Sequence, residues 1–181
     1  MERLTNSVLE YAKLGSEEVE LEPMDIGGVI RDVVDDLSTL VRDSAASITL
    51  PKERILVTAD RVKLYRIFSN LIANAIKYRD PSRPPELQIT TSTIPRRRQC
   101  SIMVQDNGRG IPADKLQLIF RPFTRIHLDV EGGSGIGLAS VRRLAEQLGG
   151  SIGVTSTEGK GSVFTLTLPL ADAAAAALAP A

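Results

Sequence analysis

Ser101–Ser140 reads SIMVQDNGRGIPADKLQLIFRPFTRIHLDVEGGSGIGLAS and contains two glycine-rich turns, Asp106-Asn107-Gly108-Arg109-Gly110 and Gly133-Ser134-Gly135-Ile136-Gly137. Ile102 and Val104 give this stretch enough alternating apolar, β-branched character to predict a strand from about Cys100 to Gln105 with Asp106 at its end. A carboxylate there, followed by glycines that permit a sharp turn, can accept a hydrogen bond deep in a pocket. The second turn opens a helix: Val141, Leu144, Ala145 and Leu148 fall at helical spacing, and Gly149-Gly150 ends it. Glycines ahead of a helix let backbone N–H groups close on an anion, and the helix dipole favours negative charge at that end. The segment between, roughly Lys115 to Gly132, has little periodicity and is placed to act as a lid.

Two phosphate-loop patterns fail here. A Walker loop needs Gly-Lys-Ser/Thr, and the nearest match, Gly159-Lys160-Gly161-Ser162, has a glycine in the way. A dinucleotide fingerprint needs a strand running straight into G-x-G-x-x-G. Leu138 stands at the third glycine position, and a polar segment rather than a strand precedes the turn.

Working outward, Asp25 is a candidate N-cap for a helix to about Asp43, with Ile26, Val29, Ile30, Val33, Leu37 and Leu40 on one face. Ile48–Leu50 and Ile55–Thr58 read as short strands. Asp60 caps a second helix whose apolar face, Leu64, Ile67, Phe68, Leu71, Ile72, Ala75 and Ile76, is core. On that helix Asn70, Asn74 and Lys77 stand at i, i+4 and i+7 and project from one side, a pattern that solvated helices also carry without function. A strand from about Leu87 to Ile94 follows the turn Asp80–Pro85. Pro95-Arg96-Arg97-Arg98 is best taken as a solvated hairpin loop. Two more strands, Ser151–Thr157 and Ser162–Leu168, flank the Thr157–Gly161 turn.

Composition sets bounds on all of this. The chain has 181 residues, enough for one domain with a substantial core, and 22 basic residues balance 22 acidic ones. Zero net charge gives no support to nucleic-acid or membrane-surface attraction. Cys100 is the single cysteine, so neither a disulfide framework nor a cysteine-cluster metal site is available; it reads as core. No apolar run approaches a membrane span, and the start lacks a signal-peptide pattern, so the chain is expected to be cytoplasmic, with a soluble or membrane-anchored parent.

Taken together, these motifs resemble the nucleotide-binding domain of the GHKL superfamily, most closely the catalytic domain of sensor histidine kinases. Asp106–Gly110 resembles the first glycine box (D-x-G-x-G), Ile119-Phe120-Arg121-Pro122-Phe123 the phenylalanine box, and Gly133–Leu138 the second glycine box (G-x-G-x-G-L). Asn70-Leu-Ile-Ala-Asn74-Ala75-Ile76-Lys77-Tyr78 resembles the N box, N-x-x-x-N-A-x-K-[FY]. The resemblance covers about residues 24–170. It implies a two-layer α/β sandwich, a mixed sheet with three main helices on one face and an ATP lid. It further implies that ATP and Mg²⁺ are bound, with Asn74 as the metal ligand, Lys77 on the phosphates and Asn70 in the same catalytic site. Tyr78 would lie near the adenine, and Asp106 would accept from its amino group. Gly108, Gly110 and Ile111 would shape the base pocket, and Gly133, Ser134, Gly135, Ile136, Gly137 and Leu138 the phosphate site. Phe120 and Phe123 pin the lid, although both could equally be core anchors. Arg125 occupies the place of a lid cation on the γ-phosphate, with Arg121 second to it.

The family transfers phosphate to a histidine on a dimerisation hairpin, then to a response regulator. His127, the sole histidine, lies in the lid and precedes Leu128 rather than an acidic residue, so the acceptor is expected outside this chain. Residues 1–14, with Leu4, Val8, Tyr11 and Leu14 on one face, resemble the end of that hairpin; 15–23 are the linker and 171–181 an alanine-rich, disordered tail. Expected partners are the phosphoacceptor hairpin and a receiver domain, in a parent that is a homodimer. Two alternatives stay open at this point. One is a degenerate binding or scaffold module. The other is a GHKL ATPase, disfavoured because Asn70 stands where such enzymes carry a glutamate base, and a carboxamide cannot take a proton.

Overall fold

The computed structural model describes residues 11–12, 18–127 and 134–172. Gly133, most of residues 1–17, the later part of the lid and the tail beyond Asp172 lie outside the described residues. In chain order the elements are β1 (Glu22–Asp25), α1 (Ile26–Asp36), α2 (Ser38–Asp43), β2 (Ser47–Thr49), β3 (Leu56–Ala59), α3 (Arg61–Lys77), β4 (Glu86–Ile94), β5 (Gln99–Asp106), α4 (Gly137–Gln147), β6 (Ser151–Thr157) and β7 (Gly161–Pro169).

Five strands form one sheet in the order β2-β4-β5-β7-β6. The β2–β4 pair is parallel and the rest are antiparallel, so the sheet is mixed. Register fixes which side chains share a face. Ile89 pairs with Val104, which pairs with Phe164; Ile102 pairs with Leu166, and Cys100 with Leu168. All are buried, while Gln88, Ser92, Met103 and Gln105 on alternate positions are exposed. One face therefore carries the helices and the other meets solvent. Asp106 has the parity of Ile102 and Val104 and thus belongs to the helix-covered side. β1 and β3 form a separate antiparallel pair, tied to the end of β7 by the Val57–Leu170 bridge.

The helix starts follow the capping logic. Asp25 accepts from the Gly27 N–H at 3.1 Å, and Asp60 from the Lys63 N–H at 3.0 Å. The apolar face expected of the second helix is wholly buried in α3, from Leu64 to Ile76. The first helix departs from expectation. It ends at Asp36, breaks at Leu37, and resumes as the short α2, none of whose residues is buried; Leu40 is 40% exposed. Asp35 and Asp36 put negative charge at a helix C-terminus, where the dipole opposes it, and Ser38 and Thr39 are weak helix formers. The Pro95–Arg98 segment is a single 3₁₀ turn with Arg98 left-handed (φ 52°), an exposed hairpin loop as expected.

The chain ahead of β1 is fastened to α3. Lys63, only 3% exposed, donates its Nζ to the Glu18 carbonyl at 2.9 Å and lies 3.4 Å from Asp60 Oδ2. The same carboxylate oxygen accepts from the Glu20 N–H at 3.2 Å. Tyr11 and Ala12 are helical, and the Arg143 guanidinium of α4 lies over the Tyr11 ring at 5.3 Å. Among the described residues no helix is long and apolar enough to cross a membrane.

Candidate functional site

A cleft opens where the end of β5 meets the end of α3. Its floor is Asp106 with Ser162 and Phe164 of β7; α3 supplies Asn74, Ala75 and its C-cap Tyr78. Gly110 and Ile111 of the first glycine turn, Leu138 of α4, and Ile119 with Thr124–His127 complete the wall.

Asp106 is the polar centre of this cleft. Its Oδ1 accepts two backbone N–H groups, from Gly108 at 2.8 Å and Ser162 at 3.2 Å. Among the described residues no donor reaches Oδ2. Burial pushes the Asp106 carboxyl above the ordinary carboxylate range, and the two amide donors only partly offset this. A carboxylate with one oxygen held and the other offered to a cleft suits a ligand that brings its own N–H donor.

The turn after Asp106 is braced from several sides. Arg83 donates to the carbonyls of Asn107 at 2.9 Å and Gly159 at 2.8 Å. Asn107 accepts from the Glu86 N–H and donates to the Pro84 carbonyl. Both glycines are required by close approach. A Cβ on Gly108 would lie 2.8 Å from the Tyr78 carbonyl oxygen, and one on Gly110 (φ +69°) would lie 2.1 Å from that of Thr157.

The second glycine turn meets the N-box residues. Asn70 donates its Nδ2 to the Arg66 carbonyl at 2.8 Å, which leaves Oδ1 turned to the start of α4; a Cβ on Gly137 would sit 2.8 Å from that oxygen and 4.0 Å from Asn74 Nδ2. Ile136, the N-cap of α4, makes no side-chain capping bond, so the first N–H groups of this helix are not closed off by their own cap. The start of α4 can therefore serve a negative group beside two carboxamides. Lys77 lies outside the cleft lining, with its Nζ 5.1 Å from the centre of the Tyr78 ring.

The expected site residues thus divide. Asn74, Tyr78, Asp106, Gly110, Ile111, Arg125 and Leu138 line the cleft. Asn70, Gly108, Gly135 and Gly137 pack just behind it, as the close approaches to Tyr78, Phe123 and Asn70 require. Ile136 is buried and Ser134 half-buried at the head of α4. Gly133 lies outside the described residues. Phe123 departs from expectation: it adopts φ 65°, is 56% exposed and does not line the cleft. Its backbone is what the site uses, since Gly135 packs against it; a Cβ there would approach the Phe123 carbonyl carbon to 2.8 Å. Phe120 instead packs on the core, and Arg121 is exposed away from the cleft. Ser162, Phe164, Thr124 and His127 line the cleft without having been expected to. Only the alternation of β7 could have signalled Phe164. Ser162, two residues earlier on the same face of β7, shares that signal; Thr124 and His127 are brought in by irregular backbone with no sequence period.

The chain matches, over residues 59–172, the family described as "Histidine kinase-, DNA gyrase B-, and HSP90-like ATPase". The cyanobacterial phytochrome B of Nostoc sp. is 34% identical over 172 residues, covering 93% of this chain and 22% of that protein. The sensor histidine kinase AtsR of Burkholderia thailandensis is 34% identical over 180 residues, covering 94% of this chain and 29% of that protein. Full-length ShkA in complex with AMPPNP is similar in structure with a TM-score of 0.81 at 31% identity, over 94% of this chain and 36% of that one. The chain spans less than a third of the length of these two curated relatives.

Proposed function

Because the chain belongs to the family of histidine kinase-, DNA gyrase B- and HSP90-like ATPases, we propose that it is the ATP-binding catalytic domain of a sensor histidine kinase. It hands the γ-phosphoryl of ATP to a histidine outside this chain, for relay to a response regulator. Residues 24–170 form the catalytic domain, 15–23 the linker, and 1–14 the end of the phosphoacceptor hairpin of a homodimeric parent.

The observation that carries this proposal is the Asp106 carboxylate, one oxygen held by the Gly108 and Ser162 N–H groups, lining a largely apolar cleft beside a helix start with no side-chain cap. An adenine supplies the amino N–H that Oδ2 lacks, its ring fits between Ala75, Ile111 and Phe164, and Tyr78 flanks it. The phosphates then lie toward Gly135–Leu138, where glycine backbone and helix dipole favour them. Lys77 and Arg125 add positive charge, Arg125 toward the γ-phosphoryl.

Among the described residues no group of three His, Cys, Asp or Glu side chains could hold a metal ion. Mg²⁺ keeps several waters and takes few protein ligands beside phosphate oxygens, so it calls for no such group. Asn74 would hold it by its amide oxygen, with Asn70 beside it, and the ion would neutralise phosphate charge. The protein's own part is positioning and charge compensation, as phosphoryl transfer requires. Asn70 lacks basicity, so the proton of the attacking group must be taken by a residue of the acceptor module, which argues against self-contained ATP hydrolysis.

The test is to supply a histidine-bearing hairpin of the parent kinase in trans with [γ-³²P]ATP and Mg²⁺. The expected result is acid-labile, base-stable label on the hairpin, absent when its histidine is replaced by alanine. Steady phosphate release by this chain alone, with no labelled hairpin, would favour the ATPase. Bound nucleotide with neither product would favour a docking module.

A further inference from the structure

His127, which precedes Leu128 rather than an acidic residue, stands on the cleft wall next to Arg125 and Ile126. Its Nε2 lies 3.0 Å from the Gly110 carbonyl oxygen. A carbonyl only accepts, so Nε2 carries the hydrogen and donates. The acceptor is among the most constrained groups in the site. Gly110 is left-handed with no room for a Cβ, and the following Ile111 N–H donates to Ser156 Oγ at 2.8 Å. Ser156 in turn bonds the Gly161 carbonyl at 2.8 Å and Ser162 Oγ at 3.0 Å, and the Ser162 N–H reaches Asp106. His127 therefore fastens the segment after the phenylalanine box to the same hydrogen-bonded ring that holds the base-binding carboxylate.

The second observation is its ring. The His127 and Tyr78 ring centroids are 5.8 Å apart, tilted by 40°. A purine stacked between two rings would hold them about 7 Å apart, twice the contact distance of carbon atoms. The pair is too close for that sandwich, so it forms one continuous outer wall, with the base lying inside it rather than between its members.

We infer that His127 is a positioning residue of the nucleotide site: its bond to Gly110 closes the outer wall of the base cleft and sets how long an adenine nucleotide stays bound. This rests on the ATP-binding function proposed above. Because the wall covers the base and not the phosphates, it acts alike on every adenine nucleotide.

The test is calorimetric titration with ADP and with AMPPNP, plus stopped-flow release of mant-ADP, for the wild type, His127→Ala and His127→Gln. Expected for His127→Ala is a loss of affinity of about three- to tenfold, the worth of one hydrogen bond and one ring contact. That loss should be the same for ADP and AMPPNP and appear as faster release with unchanged association. His127→Gln, whose side-chain amide can donate to the same carbonyl, should stay within about twofold of the wild type. Unchanged release in His127→Ala, a loss confined to AMPPNP, or a glutamine variant as poor as the alanine one would each overturn the inference. A wild type that binds neither nucleotide would overturn the proposed function itself.

Discussion

Replacing Asp106 by Asn changes one oxygen into an NH₂ group and leaves the shape of the cleft intact. In the fold, Asn Oδ1 can still accept the Gly108 and Ser162 N–H groups at 2.8 and 3.2 Å, so the turn keeps its bonds. Charge-assisted strength is lost there, but so is the burial cost that raises the Asp106 pKa. The two effects oppose, and global stability should change by about 1 kcal/mol or less. Binding is another matter. The new amide presents a donor where the adenine amino group also donates. A hydrogen bond to a charged acceptor is lost and a buried donor is left unpaired, together about 2–4 kcal/mol, or roughly 30- to 1,000-fold in Kd for ADP. Titration calorimetry beside urea unfolding separates the two quantities. The pH dependence supplies a second check. A carboxyl whose folded pKa is raised contributes stability that is present at low pH and is lost as pH rises through that pKa. The wild type should therefore lose stability relative to D106N across the range just above the ordinary carboxylate value, while its affinity for ADP increases over the same range. A D106N protein that binds ADP within twofold of wild type, with normal unfolding, would refute the role assigned to Oδ2.

The remaining predictions concern the scaffold. Gly110→Ala forces a Cβ to within 2.1 Å of the Thr157 oxygen at a φ of +69°, and should cost about 2–4 kcal/mol, seen as a lower urea midpoint with an unchanged slope. Lys63→Met leaves the Asp60 carboxylate without its cation and the Glu18 carbonyl without its donor, a loss of about 2–4 kcal/mol in the same assay. For Asp60, burial pushes the pKa up, but the N–H groups of Lys63 and Glu20 and the Lys63 ammonium together outweigh it and hold the pKa low. Its contribution is thus present above the ordinary carboxylate range and lost as pH falls through the lowered value, so Asp60→Asn should flatten the acid limb of the stability profile. Burial pushes the Cys100 thiol up to about 11, so at pH 8 it should resist a disulfide reagent until the protein unfolds.

The sheet and its helix layer were legible because their signals are periodic. The alternation in β5 and β7 and the apolar face of α3 each name a buried surface, and Asp25 and Asp60 mark helix starts that the structure keeps. The chemistry of the glycine boxes was legible for a different reason. Gly108 and Gly110 are places where a Cβ would meet backbone, so the residue type itself reports a close approach. What could not be read depends on tertiary placement. Leu40 sits at a helical interval from Leu37 but past a break that turns it to solvent. Phe123 is apolar, yet its left-handed backbone directs the ring outward. His127 and Thr124 reach the cleft through irregular backbone whose course no period encodes. Arg83 and Asn107, which brace the first turn, look like ordinary loop residues until the turn is seen in three dimensions.

The most direct test of the central claim, that an adenine nucleotide lies between the helix layer and the Thr124–His127 wall, is thermal unfolding with and without ADP, in Mg²⁺ and in EDTA. A ligand present at about a hundred times its Kd adds about 2.7 kcal/mol of stability, enough for a shift of several degrees. The expected result is such a shift with Mg²⁺·ADP, smaller in EDTA and lost in Asp106→Asn. No shift at millimolar nucleotide, or one that Asp106→Asn leaves untouched, would contradict the claim.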